Sequence, residues 1–224
     1  MSNANGLPVV GDAAQSFGAT QKGRRSCSLS LASCTSFYPA KPLGCYGDGG
    51  ACFTDDGGIA ARLRTIRDHG QNGRYSHQTL GLNARLDTIQ AAVLLEKLII
   101  FDAELEKRRS VASNYDELLL QLLSEQITPP FIEEHNTSAY AQYTIRCPAR
   151  EKVQGLLAAQ GIPTAVHYPV PIHLQPAYAN SKIPVGTFPH AEKAAAEVMS
   201  LPMHPYLERA EQEIVVKSLS LAVG

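Results

Sequence analysis

From Asp87 to Leu123 the chain reads as one long helix, and its first third is apolar on nearly every side. Asp87 stands as the expected N-cap, with Gln90 three residues on in the capping-box position. Between Ile89 and Phe101 aliphatic residues cover most of the circumference, broken by Gln90, Glu96 and Lys97. A helix of that kind is expected to be buried on several sides, with more cover than one small domain offers. The run is also too short and too interrupted for a membrane span, which takes about 20 apolar residues. From Arg108 onward the helix is more polar. Pro129 and Pro130 end it, because proline has no amide donor and its ring clashes with the preceding turn. A domain boundary is expected there, giving residues 1–128 and 129–224.

Short β-prone runs and glycine turns precede the helix. Gly6 to Val10 is expected to be a strand leading to Asp12. Cys34 to Tyr38 is a second and Gly50 to Thr54 a third, entered through Tyr46-Gly47-Asp48-Gly49-Gly50. Ile59 to His69 has helical spacing in Ile59, Leu63 and Ile66. Asp68 to Leu82 is a long polar loop, the kind of connection that often carries function. Beyond the prolines, Tyr140 to Cys147 alternates like a strand, and Arg150 to Gln160 is a helix stopped by Gly161. Pro163 to Tyr168 is extended, Ala191 to Met199 helical, and a terminal helix runs near Glu208 to Ala222. The pattern is α/β, followed by a small α+β domain.

Composition excludes several classes of function. A formal net charge of −1 gives no electrostatic reason to expect nucleic acid or an anionic membrane as partner. The start, Met1 to Gly6, lacks the cationic and apolar regions of a signal peptide, so a cytoplasmic protein is expected. The cysteines number five, Cys27, Cys34, Cys45, Cys52 and Cys147, with no zinc-knuckle spacing, and are expected to be reduced thiols. No metal is expected.

The chemistry-bearing residues lie in the first half. Asp12, in Gly11-Asp12-Ala13-Ala14-Gln15-Ser16, follows a short apolar run. Ser36 and Lys41 follow in Ser36-Phe37-Tyr38-Pro39-Ala40-Lys41. An acid at one strand end, then a hydroxyl and a lysine at a second, is the set that a pyridoxal 5'-phosphate (PLP) enzyme uses. The lysine forms a Schiff base, the acid pairs with the pyridinium nitrogen and the hydroxyl holds phosphate. Each residue alone has an ordinary alternative: a surface lysine, a capping aspartate, a strand serine. Their order gives the combination its weight.

Together with Gly47-Asp48-Gly49-Gly50 and Gly81-Leu82-Asn83-Ala84-Arg85-Leu86-Asp87, these motifs resemble the DegT/DnrJ/EryC1/StrS family of PLP-dependent nucleotide-sugar aminotransferases. His167-Tyr168-Pro169 and Ser200-Leu201-Pro202-Met203-His204 extend the resemblance to essentially the whole chain. The nearest likeness is to the branch acting on UDP-sugar 3-oxo uronates for surface polysaccharide such as O-antigen. The resemblance implies part of an aspartate-aminotransferase-like, fold type I large domain plus the small C-terminal domain. It implies transfer of an amino group, from glutamate, to a keto carbon of a UDP-linked sugar. Lys41 is the implied catalytic residue, and Asp12, Gln15, Ser36, Lys41 and Asn83 are the implied cofactor ligands. Asn83 would be donated across a homodimer interface, making the site shared between chains. Arg85, His167 and Tyr168 are implied on the substrate side, with Arg85 suited to a carboxylate because a guanidinium binds it through two parallel hydrogen bonds.

Two departures from the family stand out. The residue before Asp12 is glycine where the family has an acid. The glycine- and serine-rich phosphate cradle and the ring-stacking aromatic are absent, so the chain resembles the C-terminal two-thirds of such an enzyme. A second reading follows from that absence: a truncated, non-catalytic homologue that keeps only the fold and dimerisation. A dehydratase of the same family would carry histidine where Lys41 stands.

Overall fold

The computed structural model describes residues 5–123 and 125–224. By compactness the chain divides into two units, one of residues 1–106 with 132–141 and the other of 107–131 with 142–224. This division differs from the break expected at the two prolines. It falls inside the long helix, because the two halves of that helix each take part in a different unit.

The first unit is organised by a three-stranded sheet of β1 (Val10–Asp12), β4 (Ala32–Ser36) and β5 (Gly50–Phe53), with β4 in the middle. β1 runs parallel to β4, and β5 runs antiparallel to it. The first strand starts later than the sequence suggested, so Asp12 is its last residue rather than a residue beyond it. A second sheet was not foreseen. β2 (Thr20–Gln21) pairs antiparallel with both β3 (Arg24–Arg25) and β6 (Asn136–Thr137). Helix α1 (Gly57–Arg67) is capped by the Asp56 carboxylate, which accepts from the Ile59 amide at 2.8 Å.

The long helix is α2 (Thr88–Leu123), and its first backbone bond runs from the Ala91 amide to the Asp87 carbonyl at 2.9 Å. Gln90 does not serve the expected capping box. Its Oε1 accepts from the Tyr46 amide at 2.7 Å. Only one strip of the apolar segment is covered: Leu94, Phe101 and Leu105 are buried, with Phe37, Leu43 and Cys45 in the same core. Phe17 completes this core, its ring centroid 6.0 Å from that of Phe37 and 5.5 Å from that of Phe101. Ile89 (78%), Leu95 (65%) and Ile99 (77%) lie open on the rest of the circumference.

The second unit holds a two-stranded antiparallel sheet, β7 (Tyr143–Arg146) with β8 (Val198–Leu201). With it come helices α3 (Arg150–Ala159), α4 (Pro189–Glu197) and α5 (Arg209–Val223). β7 is shorter than the expected Tyr140 to Cys147, and the expected extended piece Pro163 to Tyr168 contributes only a bridge between Ala165 and Ser200. Tyr143, Ile145, Val153, Leu157, Met199, Val216 and Leu219 are fully buried and form its interior. A capping box does occur here, between Glu208 and Glu211 at the start of α5.

Candidate active site

Parallel pairing of β1 with β4 gives the two strands the same direction, so their C-terminal ends open at one edge of the sheet. Asp12 is in register with Cys34, and Ser36 lies two residues further along β4. The pairing is reinforced beyond the strands: the Ala13 amide donates to the Cys34 carbonyl at 2.7 Å, and the Thr35 hydroxyl to the Ala13 carbonyl at 3.0 Å. Asp12 is exposed and accepts through Oδ1 from the Ala14 amide at 2.9 Å, which leaves its other oxygen to face solvent or a ligand. Gly11 fits tightly against serines. A Cβ there would lie 2.7 Å from the Ser30 Oγ and 2.8 Å from the Ser33 Oγ. A side chain at this position would require the two serine hydroxyls to turn aside.

Gln15 sits in the turn after β1, not in a helix. The turn is closed by the Ser16 amide donating to the Ala13 carbonyl at 3.1 Å, and the Gln15 side chain is exposed. Ser36 Oγ accepts from the Tyr38 amide at 3.1 Å, leaving its own proton available to donate.

Lys41 lies on the loop between β4 and β5, and that loop is firmly held. Pro42, Leu43, Gly44 and Cys45 are buried. The Lys41 amide donates to the Tyr38 carbonyl at 2.9 Å, and the Cys45 amide to the Phe37 carbonyl at 2.8 Å. The Cys45 thiol donates to the same carbonyl at 2.9 Å. Two side chains of α2 clamp the far side. Gln90 receives the Tyr46 amide, and the Lys97 ammonium donates to the Gly44 carbonyl at 2.6 Å while lying 4.7 Å from the Tyr46 ring centroid. The Lys41 ammonium itself makes no hydrogen bond to any described residue. Sequence reasoning missed Gln90 and Lys97 in this supporting role, because nothing local links a helix residue to a loop some 50 positions earlier.

Asn83 and Arg85 lie just beyond the polar loop of Asp68 to Leu82. Its ends are pinned together by the His69 amide donating to the Leu82 carbonyl (2.9 Å) and the Ala84 amide to the Arg67 carbonyl (3.0 Å). Gly70 and Gly81 make the crossing possible: a Cβ on Gly70 would collide with the Thr79 carbonyl oxygen, and one on Gly81 with the Gly70 amide. Arg85 Nε donates to Asn83 Oδ1 at 3.2 Å, and its Nη1 reaches Asp68 Oδ1 at 3.4 Å. Arg85 therefore already has a carboxylate partner, although the pair is open to water.

His167 and Tyr168 are in the second unit. They border a mainly apolar cavity of about 720 Å³ with Ile172, His173, Phe188 and Ala195. His167 Nδ1 lies 3.5 Å from the Ser200 hydroxyl, and Tyr168 is largely exposed. The loop around the cavity is tied down by Glu192, which accepts from the Gly186 and Phe188 amides and pairs with His173 at 3.0 Å. Those bonds hold its carboxyl below the usual range, the Gly186 amide contributing most.

The donor set in the first unit suits a phosphorylated pyridine aldehyde. It offers a carboxylate that accepts only, a hydroxyl with its proton unused, and an amine without a partner among the described residues.

The DegT/DnrJ/EryC1/StrS aminotransferase family model matches residues 1–220. The chain is 56% identical over 217 residues to a UDP-2-acetamido-2-deoxy-3-oxo-D-glucuronate aminotransferase of Pseudomonas aeruginosa, covering 96% of this chain and 58% of that protein. It is 42% identical over 219 residues to a dTDP-3-amino-3,4,6-trideoxy-alpha-D-glucose transaminase of Streptomyces venezuelae, covering 98% of this chain and 57% of the relative. Among solved structures, a DegT DnrJ EryC1 StrS aminotransferase from Brucella abortus superposes with a TM-score of 0.92 at 41% identity. It covers 100% of this chain and 59% of the other. The chain thus spans somewhat under three-fifths of the length of the relatives it matches.

Proposed function

Since the chain belongs to the DegT/DnrJ/EryC1/StrS aminotransferase family, we propose that it carries the lysine side of a PLP-dependent nucleotide-sugar aminotransferase site. One observation carries this reading: Lys41, whose ammonium bonds to no described residue, is held on the loop that follows Ser36, and Ser36 ends the strand paired in parallel with the one that ends in Asp12. When bound, PLP supplies an electron sink that makes the carbon bearing the transferred nitrogen acidic. Asp12 would keep a proton on the ring nitrogen through its uncommitted carboxylate oxygen. Ser36 would donate its hydroxyl proton to phosphate, and Gln15 would bond the ring hydroxyl. Lys41 Nζ would hold the cofactor and, once displaced, move protons as acid and base.

The acceptor we propose is a 3-oxo sugar uronate linked to UDP, with glutamate as donor, in surface-polysaccharide synthesis in the cytoplasm. The name of the Pseudomonas aeruginosa relative supports a carboxylate on the acceptor. Arg85 would then exchange Asp68 for that carboxylate, a small loss because the existing pair is solvent-exposed. His167 and Tyr168 would contact substrate. A second copy of the chain would cover Ile89, Leu95 and Ile99 on α2 and would bring Asn83 to its neighbour's phosphate.

The test is absorbance with added PLP, followed by borohydride reduction and peptide mapping. Chymotrypsin is the protease of choice, because trypsin does not cut between Lys41 and Pro42. A pyridoxyl group on Lys41 is expected; a label confined to other lysines would overturn the assignment. Arg85→Ala should cost about 2 to 4 kcal/mol in transition-state binding of the uronate and spare a matched neutral keto-sugar. Equal losses on both would remove the case for a carboxylate acceptor.

A further inference from the structure

Cys34 and Cys52 stand directly opposite each other on β4 and β5. The Phe37 amide donates to the Gly49 carbonyl at 2.7 Å, which makes Phe37 and Gly49 a hydrogen-bonded pair of the ladder. Antiparallel ladders alternate, so counting back through Ser36–Gly50 and Thr35–Ala51 puts Cys34–Cys52 at a non-hydrogen-bonded position. Opposed Cα atoms at such positions are about 4.5 Å apart with their side chains on one face. That lies inside the span of roughly 4.4 to 6.8 Å that a disulfide bridges.

Both thiols are free and exposed, and both border a cavity of about 1130 Å³ that also touches Thr35, Ala51 and Phe53. The Cys34 thiol is now turned toward the Gly11 carbonyl at 3.8 Å, so pairing with Cys52 would require rotation about its Cα–Cβ bond. The other cysteines are placed differently. Cys45 and Cys147 are fully buried. Cys27 borders the same cavity, but burial, offset in part by the Ser26 hydroxyl and reinforced by Cys34, pushes its thiol up and leaves less thiolate to react.

We propose that Cys34 and Cys52 are a modification site: they form a reversible cross-strand disulfide by exchange with a low-molecular-weight disulfide such as oxidised glutathione. One cysteine thiolate attacks a sulfur of the small disulfide, forming a mixed disulfide and expelling one small thiolate. The second cysteine then attacks the mixed disulfide at the protein sulfur and expels the other small thiolate. Two protein thiols are oxidised, one small disulfide is reduced to two thiols, and the two protons pass to the departing thiolates. The bond ties β4, which leads into Ser36 and the Lys41 loop, to its neighbour, so the redox state acts on the strand at the centre of the proposed site. The chemistry does not depend on the aminotransferase reading.

The reduced protein would be equilibrated with graded oxidised glutathione, blocked with N-ethylmaleimide and digested with chymotrypsin. Cuts after Leu31, Phe37 and Tyr46 separate Cys27, Cys34, Cys45 and Cys52 onto different peptides. Cys34 and Cys52 should lose labelling together, appear as one linked peptide pair lighter by two hydrogens, and recover with dithiothreitol. In Cys52→Ala, Cys34 should stop at the mixed disulfide, whereas Cys27→Ala should leave the link unchanged. A link through Cys27, two separate glutathione adducts, or full maleimide labelling of both under strongly oxidising ratios would overturn the proposal.

Discussion

Replacing Lys97 by methionine removes one ammonium group and should loosen the loop that presents Lys41. The aliphatic stem is kept, so the packing of α2 is little changed. What is lost is the 2.6 Å hydrogen bond to the buried Gly44 carbonyl and the contact with the Tyr46 ring. A hydrogen bond from a charged donor is worth about 1.5 to 3 kcal/mol, and its loss leaves a buried acceptor unmatched. Tyr46 is exposed, so the cation–π contact adds only about 0.5 kcal/mol. A loss of about 2 to 3 kcal/mol should appear as local opening, because the loop is otherwise held by a few backbone bonds, the Cys45 thiol and Gln90. The assay is native-state hydrogen exchange. The Cys45 and Tyr46 amides should exchange roughly 30- to 150-fold faster in Lys97→Met, since about 1.4 kcal/mol is a factor of ten. Amides of β7 and β8, in the other unit, provide the internal reference. Exchange at Cys45 within threefold of the parent would refute the idea that α2 holds this loop through Lys97.

Gly81→Ala should destabilise the polar loop by more than about 2 kcal/mol, because the new Cβ would meet backbone rather than a movable side chain. Faster tryptic cutting after the exposed Arg74 would report it, and an unchanged rate would contradict it. Asp116 is raised above its ordinary 3.8, chiefly by burial and despite the hydrogen bond from the Tyr143 hydroxyl. The folded state therefore binds that proton more tightly than the unfolded one, and stability falls as pH rises from about that ordinary value through the higher folded one. Asp116→Asn should flatten this part of the stability–pH curve in urea titrations; an unchanged slope would mean that another group controls it. Arg85→Ala should alter unfolding stability by no more than about 1 kcal/mol, since its pairing with Asp68 is exposed. A larger loss would assign Arg85 a structural role.

The sequence by itself located the main helices and the short motifs from which the candidate site residues are read. Helix periodicity and the glycine turns are local signals, and local signals survive in a linear reading; α2, however, ends at Leu123, before Pro129 and Pro130 are reached. The order of Asp12, Ser36, Lys41, Asn83 and Arg85 was legible for the same reason, since each sits in a short motif. Tertiary structure decided what those residues touch. Two-residue strands such as β2 and β6 have no periodicity to detect, and their pairing joins Thr20 to Thr137 across most of the chain. Gln90 fits a capping box by spacing, yet Tyr46 claims its carbonyl because the β4–β5 loop packs against that turn of α2. Likewise the apolar circumference of α2 was visible, but only packing selected Leu94, Phe101 and Leu105 as the buried strip and left Ile89, Leu95 and Ile99 open. Periodicity reports that a residue can be buried. Which neighbour buries it is fixed by contacts between segments far apart in the chain, and spacing carries no record of those.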